Sequence, residues 1–285
     1  MRAPGPGAAG APPPRPDRRG MRPQPLRGGR PGGTVGVMTI RAVLWDVDDT
    51  LFDYTTADRT GMRAHLLAER LLDRYGSVEE ALAQWRRITD EQWARFSAGE
   101  VSFDEQRRER VRAFLGRPEL TDAEAEDWFA RYLRHYESAW AVFPDVLPAL
   151  DRLAVGYRHA VLSNSGLHVQ EHKLRVLGLR DRFEAVLCAA ELGVSKPRAR
   201  AFHAACEALG LPPHQVAYVG DHPEIDARGA AAAGLLPVWI DRTDMSPDGA
   251  AGGPPGPGVH RISSLAELPA LLGADTRFGA RSTFR

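Results

Sequence analysis

Three carboxylates fall within four residues at Asp46-Val47-Asp48-Asp49, directly after the apolar run Ala42-Val43-Leu44-Trp45. On an extended backbone Asp46 and Asp48, two residues apart, point to the same side. Acids crowded at the carboxyl edge of a strand are costly unless a cation or hydrogen bonds compensate them. That edge is also where open α/β sheets bind ligands. A polar turn with helix-capping acids is the plainer reading of this segment alone. Ser163-Asn164 follows a second apolar run, Ala160-Val161-Leu162, and brings a hydroxyl and an amide that can donate to phosphoryl oxygens. The next helix begins near Gly166, offering free backbone N–H groups, although Ser-Asn is also an ordinary turn and cap. Asp221 ends a third run, Val216-Ala217-Tyr218-Val219-Gly220, as a candidate metal ligand with Asp226 one helical turn behind it. A helix cap explains that segment equally well taken alone.

Lys196-Pro197 completes the set. The chain holds two lysines, Lys173 and Lys196, among 37 basic residues, so arginine serves wherever a generic positive charge is wanted. A lysine kept against that bias suits a phosphoryl group or a carboxylate pair, where a compact point charge matters. Lys173 lies in Glu171-His172-Lys173-Leu174-Arg175, which reads as a solvated helix face, and is assigned no role.

The elements that must position these residues alternate. Apolar runs at 42–45, 158–163, 185–188, 216–219 and 235–240 read as buried parallel strands. Helical stretches at 166–177, 198–209 and 224–233 lie between them, so the expected core is a parallel sheet covered on both faces. Between about 55 and 141 the strand signal vanishes. Met62, Leu66, Leu67 and Leu71, then Leu82, Trp85 and Ile88, then Trp128, Phe129, Tyr132, Leu133, Tyr136 and Trp140 fall at helical spacing. A four- or five-helix insert over 54–142 is expected, splitting the α/β core into 38–53 and 143–273. Its tryptophans are read as helix packing rather than as a base-stacking wall.

With 285 residues, 43% of them hydrophobic, the chain suits one large domain or two modest ones. Its 37 basic and 37 acidic side chains balance, which argues against a nucleic-acid partner. No run approaches the ~18 apolar residues of a membrane span. Cys188 and Cys206 show no metal or redox spacing and read as buried thiols of a reducing cytoplasm. Residues 1–37 carry seven arginines against the single acid Asp17, and 17 of the first 33 residues are Pro or Gly. They are expected to be a disordered extension, as is the tail 274–285; 244–259 is expected to be a flexible loop. His168 and His172, four apart, lack the glutamate placement of a zinc hydrolase, and no nucleotide-cofactor glycine motif is present.

Taken together, the acid pair, the serine, the lysine and the second acid pair, each after a strand and in this order, resemble the haloacid dehalogenase-like hydrolase superfamily. The resemblance covers about residues 40–242 and extends to a helical cap placed after the first strand. It implies a Rossmann-like α/β fold and phosphoryl transfer, with Asp46 as nucleophile, Asp48 as general acid/base, and Ser163, Asn164 and Lys196 holding the phosphoryl group. Mg²⁺ would be held by Asp46, Asp221 and the backbone carbonyl of Asp48, with Asp226 behind them supporting the metal or Lys196. Members that cleave carbon–halogen bonds lack an acid two residues after the nucleophile, so Asp48 implies chemistry on phosphate. The expected activity is a Mg²⁺-dependent phosphatase of small phosphorylated metabolites acting through an aspartyl-phosphate. The segment Asp46–Tyr54 and the insert's length look most like cytosolic pyrimidine 5′-nucleotidases. A sugar phosphomutase and a phosphoaspartate signalling module are the alternatives. Two positions depart from the family pattern: Asp49 replaces a common glycine, and His222 stands where Ser or Thr often follows the metal-binding Asp.

Overall fold

The computed structural model describes residues 39–242 and 256–273. The expectations for the amino-terminal extension, for the carboxyl-terminal tail and for most of the 244–259 loop lie outside the described residues.

The apolar runs form strands β1 (Ala42–Trp45), β2 (Arg158–Ser163), β3 (Ala185–Cys188), β4 (Val216–Gly220), β5 (Leu236–Ile240) and β6 (His260–Ile262). They make one parallel sheet in the order β3-β2-β1-β4-β5-β6. β1 is central and buried at all four positions because both of its edges and both of its faces are covered. Its side chains alternate: Val43 and Trp45 enter one hydrophobic cluster, Ala42 and Leu44 the other. Trp45 is level with Val161 of β2 and Val219 of β4, so the residues that follow these three strands emerge together at one edge. The chain proceeds to β2 on one side of β1 and to β4 on the other, a topological switch point.

Four helices separate β1 from β2's supporting helix: α1 (Tyr54–Ala68), α2 (Val78–Ala98), α3 (Phe103–Leu115) and α4 (Asp122–Ser138), with a 3₁₀ turn at Leu72–Arg74. Their ends are written in the sequence. Asp53 and Ser77 cap α1 and α2, Ser102 and Thr121 form capping boxes with Glu105 and Glu124, and Gly99 and Gly116 end α2 and α3 in the left-handed conformation. Gly61 allows α1 to meet α4, since a Cβ there would lie 2.5 Å from Tyr136 Cα. Trp85 and Trp128 fill the interior of this layer, whereas Trp93 and Trp140 line a cavity beside it.

The core helices are α5 (Val146–Leu153), α6 (Leu167–Val176), α7 (Ala189–Leu192), α8 (Ala199–Leu209), α9 (Gly229–Ala232) and α10 (Leu268–Leu271). The helix expected over 224–233 is instead a π turn at Pro223–Arg228 running into α9. The backbone N–H groups of both Asp226 and Ala227 donate to the carbonyl of His222, at 2.9 and 3.3 Å. This wide turn seats the Asp226 side chain directly on Gly220, where any Cβ would lie 2.4 Å from Asp226 Cγ.

Candidate active site

The edge of β1, β2 and β4 carries the chemistry-bearing residues. The backbone N–H of Asp46 donates to Val219 O at 2.9 Å, extending the β1–β4 pairing by one residue and fixing where the carboxylate begins. Lys196, 3% exposed, reaches this edge from the loop after α7, and its Nζ meets Asp46 Oδ1 at 2.6 Å, Tyr218 OH at 2.7 Å and Asp226 Oδ1 at 2.8 Å. Three acceptors saturate the ammonium. Burial works against the Lys196 charge, but Asp226 and Asp46 outweigh it and hold the ammonium above its usual range. Burial pushes Asp46 up to about 7 despite the attraction of Lys196, with Asp226 and Asp48 adding to the rise. Asp221 is raised well above the carboxylate range by burial and by the charges of Asp226 and Asp46. One lysine thus sits among more acid than it neutralises.

Asp226 accepts from Lys196, from Tyr218 OH at 3.1 Å and from the His222 backbone N–H at 3.0 Å. The Asn164 side chain is engaged at both ends by the Lys196 main chain: its Oδ1 accepts from Lys196 N at 2.8 Å and its Nδ2 donates to Lys196 O at 3.0 Å. What this residue visibly does is hold Lys196 in place. The Ser163 hydroxyl, at the end of β2, accepts from Gln170 Nε2 at 3.1 Å, and the same Nε2 donates to Asp48 Oδ2 at 2.8 Å. Thr50 Oγ1 lies 3.4 Å from both Asp46 Oδ2 and Asp221 Oδ1, and Trp239 Nε1 donates to the Asp221 carbonyl at 2.7 Å.

Lys173 corrects the sequence reading. It is 2% exposed rather than solvated, forms an ion pair with Asp48, and lies 4.3 Å from the centre of the Phe52 ring. Both lysines of the chain therefore pair with the two acids of the first motif, Lys196 with Asp46 and Lys173 with Asp48. Lys173 is as rare a residue type in this chain as Lys196, but its charged neighbours Glu171 and Arg175 mask it. Gln170 was missed for want of any signal; only the packing of α6 against the sheet edge brings it to Asp48.

The two departures from the family pattern have local explanations. Asp49 has φ 57°, the left-handed conformation that favours glycine, and its carboxylate accepts from Thr55 N at 2.8 Å and Thr55 Oγ1 at 2.7 Å. The third acid of the motif thus shapes the turn. His222 Nδ1 accepts from the backbone N–H groups of Glu224 and Ile225, both at 3.2 Å, the capping task a small hydroxyl would perform.

Asp46, Asp221 and Asp226 each present one carboxylate oxygen, all within 4.8 Å of one another. An all-oxygen, strongly anionic donor set fits a hard divalent cation such as Mg²⁺ and would not attract a soft one. Next to this cluster a cavity of about 260 Å³ opens between the helical layer and the sheet edge. Asp48 and Lys173 stand in its wall, and Tyr54, Trp93, Phe129 and Trp140 give it an aromatic lining.

The chain as a whole is similar to known proteins. The haloacid dehalogenase-like hydrolase pattern matches residues 40–234. The chain belongs to that family. Among curated relatives, the glyceraldehyde 3-phosphate phosphatase of Methanopyrus kandleri is 33% identical over 220 residues, 73% of this chain and 88% of that protein. The (S)-2-haloacid dehalogenase 1 of Pseudomonas sp. is 30% identical over 82% of this chain and 96% of its own length. A pyrimidine 5′-nucleotidase of Escherichia coli is 24% identical over 81% of this chain and 96% of its own. A haloacid dehalogenase-like hydrolase structure from Bacillus subtilis, solved with magnesium, superimposes with TM-score 0.69 at 24% identity, covering 82% of this chain and 99% of that one. Phosphatases and dehalogenases thus both occur around this member of the family.

Proposed function

We propose that this hydrolase is a Mg²⁺-dependent phosphatase of small phosphomonoesters that works through an aspartyl-phosphate. The observation that carries the reading is the doubled acid–lysine pair: Asp46 with Lys196 beside the carboxylate cluster, and Asp48 with Lys173 in the wall of the cavity. Asp46 Oδ attacks phosphorus and the ester P–O bond breaks, while the Asp48 carboxyl gives its proton to the departing alkoxide. Asp48 then takes a proton from water as that water attacks phosphorus, releasing inorganic phosphate and restoring Asp46. Ser163 and Lys196 hold the phosphoryl oxygens, Lys196 exchanging its Asp46 contact for one of them, while Asn164 fixes the Lys196 main chain and Lys173 and Gln170 orient Asp48. Asp46, Asp221 and the Asp48 carbonyl would hold Mg²⁺, with Asp226 behind them. When bound, the cation neutralises charge shared by the nucleophile and the phosphoryl group.

The haloacid dehalogenase relative supports a second reading, in which Asp46 displaces halide from carbon. That chemistry releases no alkoxide and so has no task for Asp48, whose engagement by two side chains favours the phosphatase. A nucleoside 5′-monophosphate is a candidate substrate on the strength of the nucleotidase relative. Among the described residues no helix is long and apolar enough to cross a membrane, and both cysteines are free and buried, which supports a reducing cytoplasmic setting.

The test is phosphate release from nucleoside monophosphates, sugar phosphates and phosphoglycolate, and halide release from 2-chloropropionate, with Mg²⁺, with EDTA and with Asp46→Asn protein. Mg²⁺-dependent phosphate release lost in the variant is expected. Halide release without phosphate release would replace this reading with the second.

A further inference from the structure

The cavity's helical side holds two arginines that serve no acid. Arg110, on α3, is 5% exposed; its Nε and one terminal nitrogen donate to the neutral Gln106 Oε1 at 2.9 and 2.7 Å. Its guanidinium lies 5.4 Å from the Phe129 ring centre and 5.7 Å from that of Trp93. Arg107, one helical turn away, lies 4.4 Å from the Phe103 ring centre and 5.2 Å from that of Phe129. Neither forms an ion pair among the described residues. Asp58, whose charge Arg110 feels, is already occupied by Tyr132 OH at 2.6 Å and Trp85 Nε1 at 3.1 Å. Asp104, whose charge Arg107 feels, makes no ion pair with it. Burial, then the neighbouring Arg110 charge, pushes Arg107 down to about 10.

Two adjacent guanidinium groups in a half-buried aromatic setting repel each other and lose hydration, an arrangement that an incoming anion relieves. Ring stacking alone could hold one such arginine, but it does not explain two on the same cavity wall. The other charged groups of the cavity wall are spoken for: Lys173 is neutralised by Asp48, and Glu137 lies 3.7 Å from His172. The indole Nε1–H of Trp140, also in the wall, has no acceptor among the described residues.

We infer that Arg107 and Arg110 form a subsite for a second anionic group, a carboxylate or second phosphate, on the leaving-group portion of the substrate. The inference rests on the phosphatase reading and names its substrate class: short phosphomonoesters of hydroxy acids or sugar bisphosphates. The cavity's about 260 Å³ lies just below the ~300–1,000 Å³ common for ligand sites, so the class is a compact one.

The test compares matched pairs: 3-phosphoglycerate against glycerol 3-phosphate for the carboxylate, and fructose 1,6-bisphosphate against fructose 6-phosphate for the second phosphate. The readout is the ratio of kcat/KM within each pair, measured with Mg²⁺ on wild-type protein, Arg107→Met, Arg110→Met and, as a control on the exposed surface, Arg134→Met. The expected result is a wild-type ratio favouring the doubly charged member of at least one pair. That ratio should fall about tenfold or more in the two cavity variants and stay unchanged in Arg134→Met. Which pair responds identifies the anion. Since Arg110 is packed among rings, the half-exposed Arg107 decides if Arg110→Met does not fold. Calorimetric binding of 3-phosphoglycerate and of fructose 1,6-bisphosphate to Asp46→Asn protein, with and without Arg107→Met, reads the subsite without turnover. A failure of the phosphatase reading therefore stays separate. A wild type with no preference in either pair and no Arg107-dependent binding overturns the inference, as does an equal loss on both members of each pair.

Discussion

Asp226 carries the heaviest structural load in the site, and Asp226→Asn exposes it. The carboxylate is 1% exposed and accepts three hydrogen bonds, from Lys196 Nζ, Tyr218 OH and the His222 backbone N–H. An amide can still accept from Lys196 and Tyr218 through one oxygen, but its nitrogen then faces the His222 N–H, donor against donor. Breaking a buried ion pair costs about 3–5 kcal/mol. Removing one of three mutually repelling acids returns part of that, so the net loss should be about 2–4 kcal/mol. For a domain of this size about 1 kcal/mol moves Tm by roughly 2–4 °C, which gives a fall of about 4–16 °C. Because Mg²⁺ would already neutralise the crowded acids, the fall should be larger in saturating Mg²⁺ than in EDTA. Thermal unfolding followed by circular dichroism measures both. A Tm within about a degree of wild type under both conditions would refute the reasoning, because Asp226 would then not be the counter-charge of Lys196.

Lys173→Met, which keeps the stem against Phe52 and removes the charge beside Asp48, should lower kcat by about 10–100-fold, a fraction of what a positioned acid/base contributes; steady-state kinetics at wild-type rate would dismiss the pair. Gly220→Ala should destabilise by about 1–3 kcal/mol and abolish activity, because its Cβ would lie 2.4 Å from Asp226 Cγ; urea unfolding and phosphate release read the two effects. Burial pushes both His65 and His159 from 6.5 down to about 4, so between those values the unfolded chain binds more protons and stability falls as pH falls. At pH 5 each should cost about 2 kcal/mol relative to neutral pH, and His65→Phe should flatten its share of the urea-denaturation pH profile.

Much of this was legible in the sequence because it is local. Buried apolar runs followed by Asp, Ser or Asp announce strand ends, and parallel order then places Asp46, Ser163 and Asp221 at one edge. The absence of alternation over 54–142 announced helices, and four formed there with a 3₁₀ turn between the first two. What was hidden is what depends on packing across long separations. Lys173 reads as surface because Glu171 and Arg175 flank it, yet its helix turns it under the ring of Phe52 to Asp48, 125 residues earlier. Asn164 reads as a ligand contact because an amide can donate anywhere; its partner in space is the Lys196 backbone. The π turn escaped because nothing in Pro223–Arg228 distinguishes it from a helix until Asp226 must pack on Gly220. The arginine pair was hidden for the same reason as Lys173: Arg107 and Arg110 stand among the charged neighbours Arg108 and Glu109, and Arg108 does pair with an acid, Glu126.

The central claim is that Asp46 becomes covalently phosphorylated, and acid quenching in the pre-steady state tests it most directly. Wild-type protein mixed with excess phosphomonoester and Mg²⁺, quenched in milliseconds and digested, should yield a peptide containing Asp46 that carries the added mass of one phosphoryl group. The label should be absent from Asp46→Asn protein and discharged by hydroxylamine. Phosphate release at the wild-type rate with no acyl-phosphate on that peptide, or with the phosphoryl group on another residue, would contradict the account.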